Sequence, residues 1–277
     1  MGVKMKKILF VYTLFLYIAA FLTVLVSAHV ANQESLLETM TKENGFFEWM
    51  SFFILMAIAV YGLGFCKKHR IQLSKAALLL IAGFAVVAFL GAMEEISWGQ
   101  KVLHFQSSEY FIEHNYQKET NLHNFIPAEL FSSIIYSSIY AFFVFIPLIV
   151  AMLSSKVQLF KKILPWLPVP AMTLMVLYAS SFQAFFYDDF GAWFDMGTLF
   201  AGMVLFGIVA LIRGEDIQTW GHYAFVWLTI GLFMMSYEVF GFFNMQYEIR
   251  EVFTGLAIFY YYIYLTQTYV SKRTASN

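Results

Sequence analysis

Apolar runs of the length needed to cross a bilayer recur along the whole chain, and they constrain the fold more than any motif does. A spanning helix needs about 17–25 predominantly apolar residues. Such runs lie at about 8–28, 46–65, 76–96, 131–153, 168–187, 191–212, 222–243 and 251–270. The expected fold is therefore all-α: a polytopic membrane helix bundle of about eight transmembrane helices, read as one integral membrane domain over 1–277. Only "DDF" separates the fifth and sixth runs, so that boundary is the weakest. Composition agrees. The chain is 60% hydrophobic and 13% charged, against roughly 45–50% and about 25% for a soluble domain. A net charge of −1 argues against a nucleic acid partner, and a single cysteine, Cys66, excludes an internal disulfide framework.

Lysine and arginine orient the bundle. With both termini cytoplasmic, thirteen of the 17 basic residues fall on the cytoplasmic side. Only Lys42, Lys101, Lys118 and Arg250 lie outside. The acids do the reverse: of 18, only Glu215 and Asp216 sit in a cytoplasmic loop. Polar chemistry is thus expected on the extracytoplasmic face of a multi-pass protein of the cell membrane, the bacterial cytoplasmic membrane being the natural setting. A cleavable signal peptide competes for the first run, since Lys4 to Lys7 are basic and "VSA" precedes His29. That run exceeds the usual apolar length of about 7–15 residues.

Trp49, Trp98 and Trp193 fall at predicted outer ends, and Trp166 and Trp220 at inner ends, as in an interfacial aromatic belt. Three prolines in "LPWLPVP" predict a stiff cytoplasmic turn that divides the spans four and four. A faint echo, "MEEISWG" against "SYEVFGF", allows an internal duplication. The one long connection, 97–130, is too aromatic to read as disordered. It is expected to lie on the outer membrane surface or to fold back over the bundle as an extracytoplasmic helical lid, with Ser107 or Ser108 capping a short amphipathic helix.

The acids differ in how well their positions suit them. Glu48, Asp195 and Glu251 begin helices that enter from outside, where the positive end of the helix dipole stabilises a carboxylate by roughly 0.3–1 kcal/mol. Glu94, Glu95 and Glu238 sit at outer, C-terminal ends, where the dipole opposes them and hydrocarbon adds a desolvation cost. A basic side chain, a metal ion or protonation would have to compensate. Adjacent helical residues diverge by about 100°, so Glu94 and Glu95 cannot both aim at one point. One is expected to face the bundle and one the lid.

The lid offers partners. Glu119 and His123 are four apart, and on a helix would share a face able to grip a metal. The candidate catalytic residues are Glu94, Glu95, Glu119, His123 and Glu238. Glu95, Glu119 and His123 are the candidate ligands of a divalent metal. Lys101, Trp98, Asn121, Asn124 and Arg250 are candidate substrate-binding residues, with Arg250 also placed to neutralise Glu238 or hold an anionic head group. His104 could line the same cleft. For Asp188 and Asp189 tight-turn chemistry is sufficient.

"EEISWGQK" followed by "NYQKETNLHN" resembles an uncharacterised family of bacterial multi-span membrane proteins, alike in E-E-I-x-W-G-Q and N-x-Q-x-E-x-N-L-H-N segments. The resemblance covers roughly 93–124 and implies a site there but no reaction. A looser similarity is to glutamate-dependent intramembrane proteases of the CAAX-processing type, matching Glu94, Glu95 and His123. Gln100 and Lys101 stand where that type has an arginine, no phenylalanine stands four before His123, and no later H-x-x-x-N/D pair occurs.

Three functions fit these residues. The first is an enzyme that hydrolyses, or transfers a group from, a lipid or lipid-linked substrate at the outer leaflet, with Glu95 as general acid or base. The second is a proton- or ion-coupled transporter, which predicts polar groups near mid-membrane. The third is a non-catalytic membrane subunit, which predicts polar residues spread out rather than gathered.

Overall fold

The computed structural model of the chain describes residues 17–18, 45–184, 190–235 and 247–276. Among them every regular element is helical. In chain order these are α1 (Phe46–His69), α2 (Lys75–Glu95), α3 (Gln100–Leu103), α4 (Glu109–His114), α5 (Ala128–Tyr140), α6 (Ile146–Leu153), α7 (Gln158–Ile163), α8 (Pro170–Ala184), α9 (Phe190–Arg213), α10 (Ile217–Met235) and α11 (Tyr247–Ser276). A π-helical turn, Ala141–Phe145, joins α5 to α6.

Four helical stretches among the described residues are long and apolar enough to cross a membrane: Phe46–His69, Lys75–Glu95, Leu130–Leu153 and Trp193–Arg213. They match the second, third, fourth and sixth apolar runs. A fifth crossing is available if Gln158–Trp166 and Pro170–Phe182, bent by 68° across a short break, form one broken span. The bend falls in the proline-rich stretch, where Pro165 and Pro170 cannot supply the amides that would continue a helix. Helices also occupy the seventh and eighth runs, but α10 and α11 are too polar as described to count with the four. α11 carries Tyr260, Tyr261, Tyr262 and Tyr264 where the other runs carry leucine and valine. The first run lies almost wholly outside the described residues.

The chain divides into two compact units. One comprises Glu43–Tyr136 and Ile258–Asn277, the other Met1–Lys42 and Ser137–Ala257. None of the three boundaries falls at the proline turn; those after Tyr136 and Ala257 cut through α5 and α11.

In the unit of Glu43–Tyr136, α1 and α2 form an antiparallel hairpin. Glu48 in the first turn of α1 and Lys67, Lys68 and His69 in its last both suit the helix dipole. Ser74 caps α2, its hydroxyl accepting from the Ala77 amide at 3.2 Å. Gly62 lets the helices close: a Cβ there would meet Tyr262 Oη at 2.2 Å and Ala85 Cβ at 2.7 Å. Small residues at such a contact permit the close backbone approach that drives helix association in lipid. The Tyr262 hydroxyl uses that space to donate to the Ile81 carbonyl at 2.6 Å.

In the other unit α8 packs on α9 and α10. The π turn has an identifiable cause. Pro147 has no amide to give the Phe143 carbonyl that an α-helix would pair with it. The Thr173 hydroxyl of α8 donates to that carbonyl instead, at 2.7 Å. A side chain on one helix thus repairs the backbone of another.

Candidate functional site

Helix α2 does not run on into the segment that follows it. After Glu95 the backbone turns left-handed through three consecutive residues, Ser97 (φ 47°), Trp98 (φ 55°) and Gly99 (φ 90°). For a residue with a Cβ this conformation costs roughly 1–2 kcal/mol, so the surroundings must hold Ser97 and Trp98 in it. The turn doubles the chain back and brings "EEISWGQK" against "NYQKETNLHN".

Glu94 is the centre of that junction. Its Oε1 accepts from the Trp98 indole Nε1 at 2.5 Å. Its Oε2 accepts from the backbone amides of Leu122 at 2.5 Å and His123 at 3.0 Å. The His123 Nδ1 lies 3.3 Å from the same oxygen. Glu94 therefore caps the 3₁₀ turn His123–Phe125 from across the loop. The compensation that the position of Glu94 demands comes chiefly from peptide and indole N–H groups, with His123 as the one basic side chain.

Glu119 is held a little further along. Its Oε2 accepts from Ser97 Oγ at 2.6 Å and from Asn121 Nδ2 at 3.0 Å, and the Lys101 ammonium lies 3.7 Å away. Lys101 is also ion-paired with Glu48 of α1, which ties the start of that helix to the segment following α2. Burial alone would lower the pKa of the Lys101 ammonium. The Glu48 carboxylate bonded to it, with Glu119 and Glu95 adding their fields, outweighs burial and holds it above its ordinary value.

Asn121 and Asn124 are buried and spent on the loop itself. Asn115 Nδ2 donates to both the carbonyl and the Oδ1 of Asn121, at 2.8 and 2.9 Å. Asn124 Nδ2 donates to Gln117 Oε1 at 2.5 Å.

The structure alters several of the expected roles. The stretch from Glu119 to His123 is not helical, so the two do not share a helix face. Asn115 Oδ1 captures the amides of Gln117 and Glu119, and Lys118 takes φ 60°, both of which divert the backbone from a helix. His123 goes to Glu94, and Glu119 to Ser97, Asn121 and Lys101. Among the described residues no group of three or more His, Cys, Asp or Glu is placed to hold a metal ion, so the trio Glu95, Glu119 and His123 is not assembled. Lys101, engaged by two carboxylates, is not the free cation that an anionic head group would need. Glu95 is half-buried and acts on Lys101 through its field. Glu238, like Asp188, Asp189 and His29, lies outside the described residues. Ser108 precedes α4 without a side-chain cap, while Ser107 bonds Gln100 and Thr120 instead.

Arg250 belongs to the other unit, where it pairs with Asp195 at 2.9 Å. Tyr140 donates to the second oxygen of Asp195, also at 2.9 Å. Both charges are deeply buried, Asp195 at 7% and Arg250 at 3% exposure. Reading Asp195 as a helix-start acid missed this centre. The available signal was Arg250 itself, one of four basic residues expected outside, which needs a carboxylate partner when buried; Glu248 and Glu251 beside it in sequence masked the distant one.

Comparison with family models, with curated proteins and with solved structures gives no match for this chain. The resemblance at 93–124 accordingly rests on those residues alone.

Proposed function

We propose that the protein is a membrane-embedded enzyme in which His123, oriented by Glu94, is the general base that activates water or a hydroxyl against a lipid or lipid-linked substrate. The observation that carries the reading is the contact between His123 Nδ1 and Glu94 Oε2. An ionised carboxylate only accepts hydrogen bonds, so this contact favours the tautomer with its hydrogen on Nδ1, which leaves Nε2 as the acceptor. A carboxylate that fixes the tautomer and angle of an imidazole is a recurring device of acid–base catalysis. His123 is half-buried, and Trp98 and Leu122 beside it are exposed, which suits a substrate with an apolar body. This moves the proton-transfer role from Glu95 to His123 and makes Glu94 a positioning group. Hydrolysis or group transfer remains the reaction class.

The same reading keeps eight spans, both termini in the cytoplasm of a bacterial cell, and residues 97–130 on the far side of its membrane. Single cysteines placed at Glu113 and Lys68 in a Cys66→Ser background report that topology. An impermeant maleimide should label Glu113→Cys in intact cells and leave Lys68→Cys untouched; the opposite pattern would invert the orientation.

Catalysis is tested by comparing the lipid profile of membranes that express wild type, His123→Gln and Glu94→Gln. The expected result is a lipid species that changes with wild type and not with His123→Gln, since losing a general base costs about 10²–10⁴-fold in rate. Identical profiles for wild type and His123→Gln would remove the proposal. A second reading, a proton- or ion-coupled transporter, draws on the buried Asp195–Arg250–Tyr140 centre, since ionisable groups inside a membrane bundle often mark ion pathways. Proton flux into proteoliposomes that disappears with Asp195→Asn and persists with His123→Gln would favour it.

A further inference from the structure

A loop that stands in water buries its apolar side chains and exposes its polar ones. Residues 97–126 depart from this in part: beside exposed polar residues such as Gln117 and Lys118 they bury several polar side chains and expose large apolar ones. Ser97, Asn115, Asn121 and Asn124 are buried. Leu103, Tyr116 and Leu122 are 73%, 70% and 61% exposed, and Trp98, Tyr110 and Ile126 are exposed as well.

The buried side chains have a common use, which is to satisfy irregular backbone. Asn115 Oδ1 takes the amides of Gln117 and Glu119 at 2.9 and 3.3 Å. Gln100 Oε1 takes the amide of Thr120 at 2.7 Å. Glu94 takes those of Leu122 and His123. Asn115 Nδ2 gives to the carbonyl of Asn121, and the Tyr116 amide pairs with the Asn124 carbonyl at 3.0 Å. Water would solvate these groups without such provision. In lipid it is required, because each unsatisfied backbone group there costs several kcal/mol, and non-helical backbone survives only where protein satisfies it. The segment is also continuous with candidate spans at both ends, Lys75–Glu95 before it and Leu130–Leu153 after it.

From this pattern we infer that residues 97–126 are immersed in the membrane interface, with lipid acyl chains against their exposed apolar side chains, and do not form an aqueous lid. The exposed Glu109 and Glu113 of α4 mark the level of the head groups. A substrate lipid would then reach His123 sideways from the bilayer, past Leu122 and Trp98. The immersion rests on the chain being a membrane protein and is independent of catalysis by His123.

Nitroxide spin labels give the test. Single cysteines at Leu103, Tyr116, Leu122 and Glu113, in a Cys66→Ser background, are labelled and reconstituted in phosphatidylcholine–phosphatidylglycerol vesicles. Collision with oxygen, which concentrates in lipid, is compared with collision with a water-soluble nickel chelate. The expected result is an oxygen-to-nickel ratio several-fold higher at Leu103, Tyr116 and Leu122 than at Glu113. Ratios equal to that at Glu113 would restore the aqueous lid. Protection from both reagents would mean that protein, such as a second copy of the chain, covers the face, and would equally overturn the inference. Adding His123→Gln should leave the ratios unchanged, so failure of the catalytic reading and failure of the immersion are seen separately.

Discussion

The two polar centres of the molecule solve the same problem by opposite means. In the unit of Glu43–Tyr136, Glu94 is compensated by four N–H groups, two of them peptide amides on irregular backbone, and the centre is open to its surroundings at His123 and Trp98. In the other unit, Asp195, Arg250 and Tyr140 sit on three regular helices, pair charge with charge, and are almost wholly enclosed. Peptide N–H groups can fix a carboxylate without neutralising it, which leaves an oriented anion that can align an imidazole. A guanidinium neutralises its carboxylate, which pins helices but leaves little charge for chemistry. On the proposed reading the first centre is the reactive one and the second holds helices together.

The largest effect expected from breaking this contrast is at the enclosed centre. Arg250→Ala leaves Asp195 buried without its cation, and removing one partner of a buried pair costs about 3–5 kcal/mol. Replacing both with apolar residues of similar size, Asp195→Leu with Arg250→Met, should recover most of that loss, because the desolvation penalty goes too. Thermal unfolding of wild type, Arg250→Met, Asp195→Leu and the double variant in one detergent completes the cycle, with Arg250→Ala as the reference for an unpaired carboxylate. A double variant as unstable as Arg250→Ala would show that the pair does more than hold helices.

Glu94→Gln should cost less and act locally. The amide can accept on one atom only, so either the indole or the pair of amides from Leu122 and His123 loses its acceptor, at about 1–3 kcal/mol. Amide hydrogen exchange at Leu122 and His123 should speed up while exchange in α8 and α9 stays as it was. Faster exchange throughout would mean that Glu94 is a global stabiliser like Arg250, and the contrast would fail. Trp98→Phe removes a single hydrogen bond from a half-exposed site and should cost about 1 kcal/mol. With the Nε1 donor gone, Glu94 Oε1 loses its partner while Oε2 keeps the two amides. The rate of His123 modification by diethyl pyrocarbonate should then change even though the ring at position 98 is kept.

How much of this was legible depended on whether a feature is periodic or particular. Helices α1 and α2 follow the apolar runs within a few residues, because a bilayer-length apolar run has few alternatives to a helix. Four-residue helical spacing puts Trp98 on the face of Glu94, and the two do bond. They do so across a left-handed turn that nothing in "ISWGQ" announces, since serine and tryptophan are not residues that favour it. The expected Glu119–His123 face failed for a similar reason. Four-residue spacing means something only on a helix, and Asn115, a residue outside the pair, decides that there is none. Asp195 and Arg250 lie 55 residues apart, and no local rule connects them. The one deduction open to sequence reasoning was that a buried arginine needs an acid; which acid is a matter of packing.

The smallest predicted effect concerns Lys101, and it separates the reactive centre from its scaffold. Because the folded protein raises the pKa of this ammonium, its contribution to stability is full below the unfolded value of about 10.4. That contribution fades as pH rises through the folded value. Between pH 6 and 9 the Lys101 contribution should therefore be flat. Above pH about 10.4 wild type should lose stability more steeply than Lys101→Met, in which the slope due to this residue is gone. Catalysis that depends on His123 should not follow this alkaline loss. A Lys101→Met protein with an unaltered activity profile near neutrality and a flattened alkaline stability curve would show that Lys101 ties Glu48 and Glu119 together without entering the chemistry. A shift of the neutral activity profile by Lys101→Met would show the reverse: that the ion pairs around Lys101 reach His123, and that scaffold and reactive centre are one network.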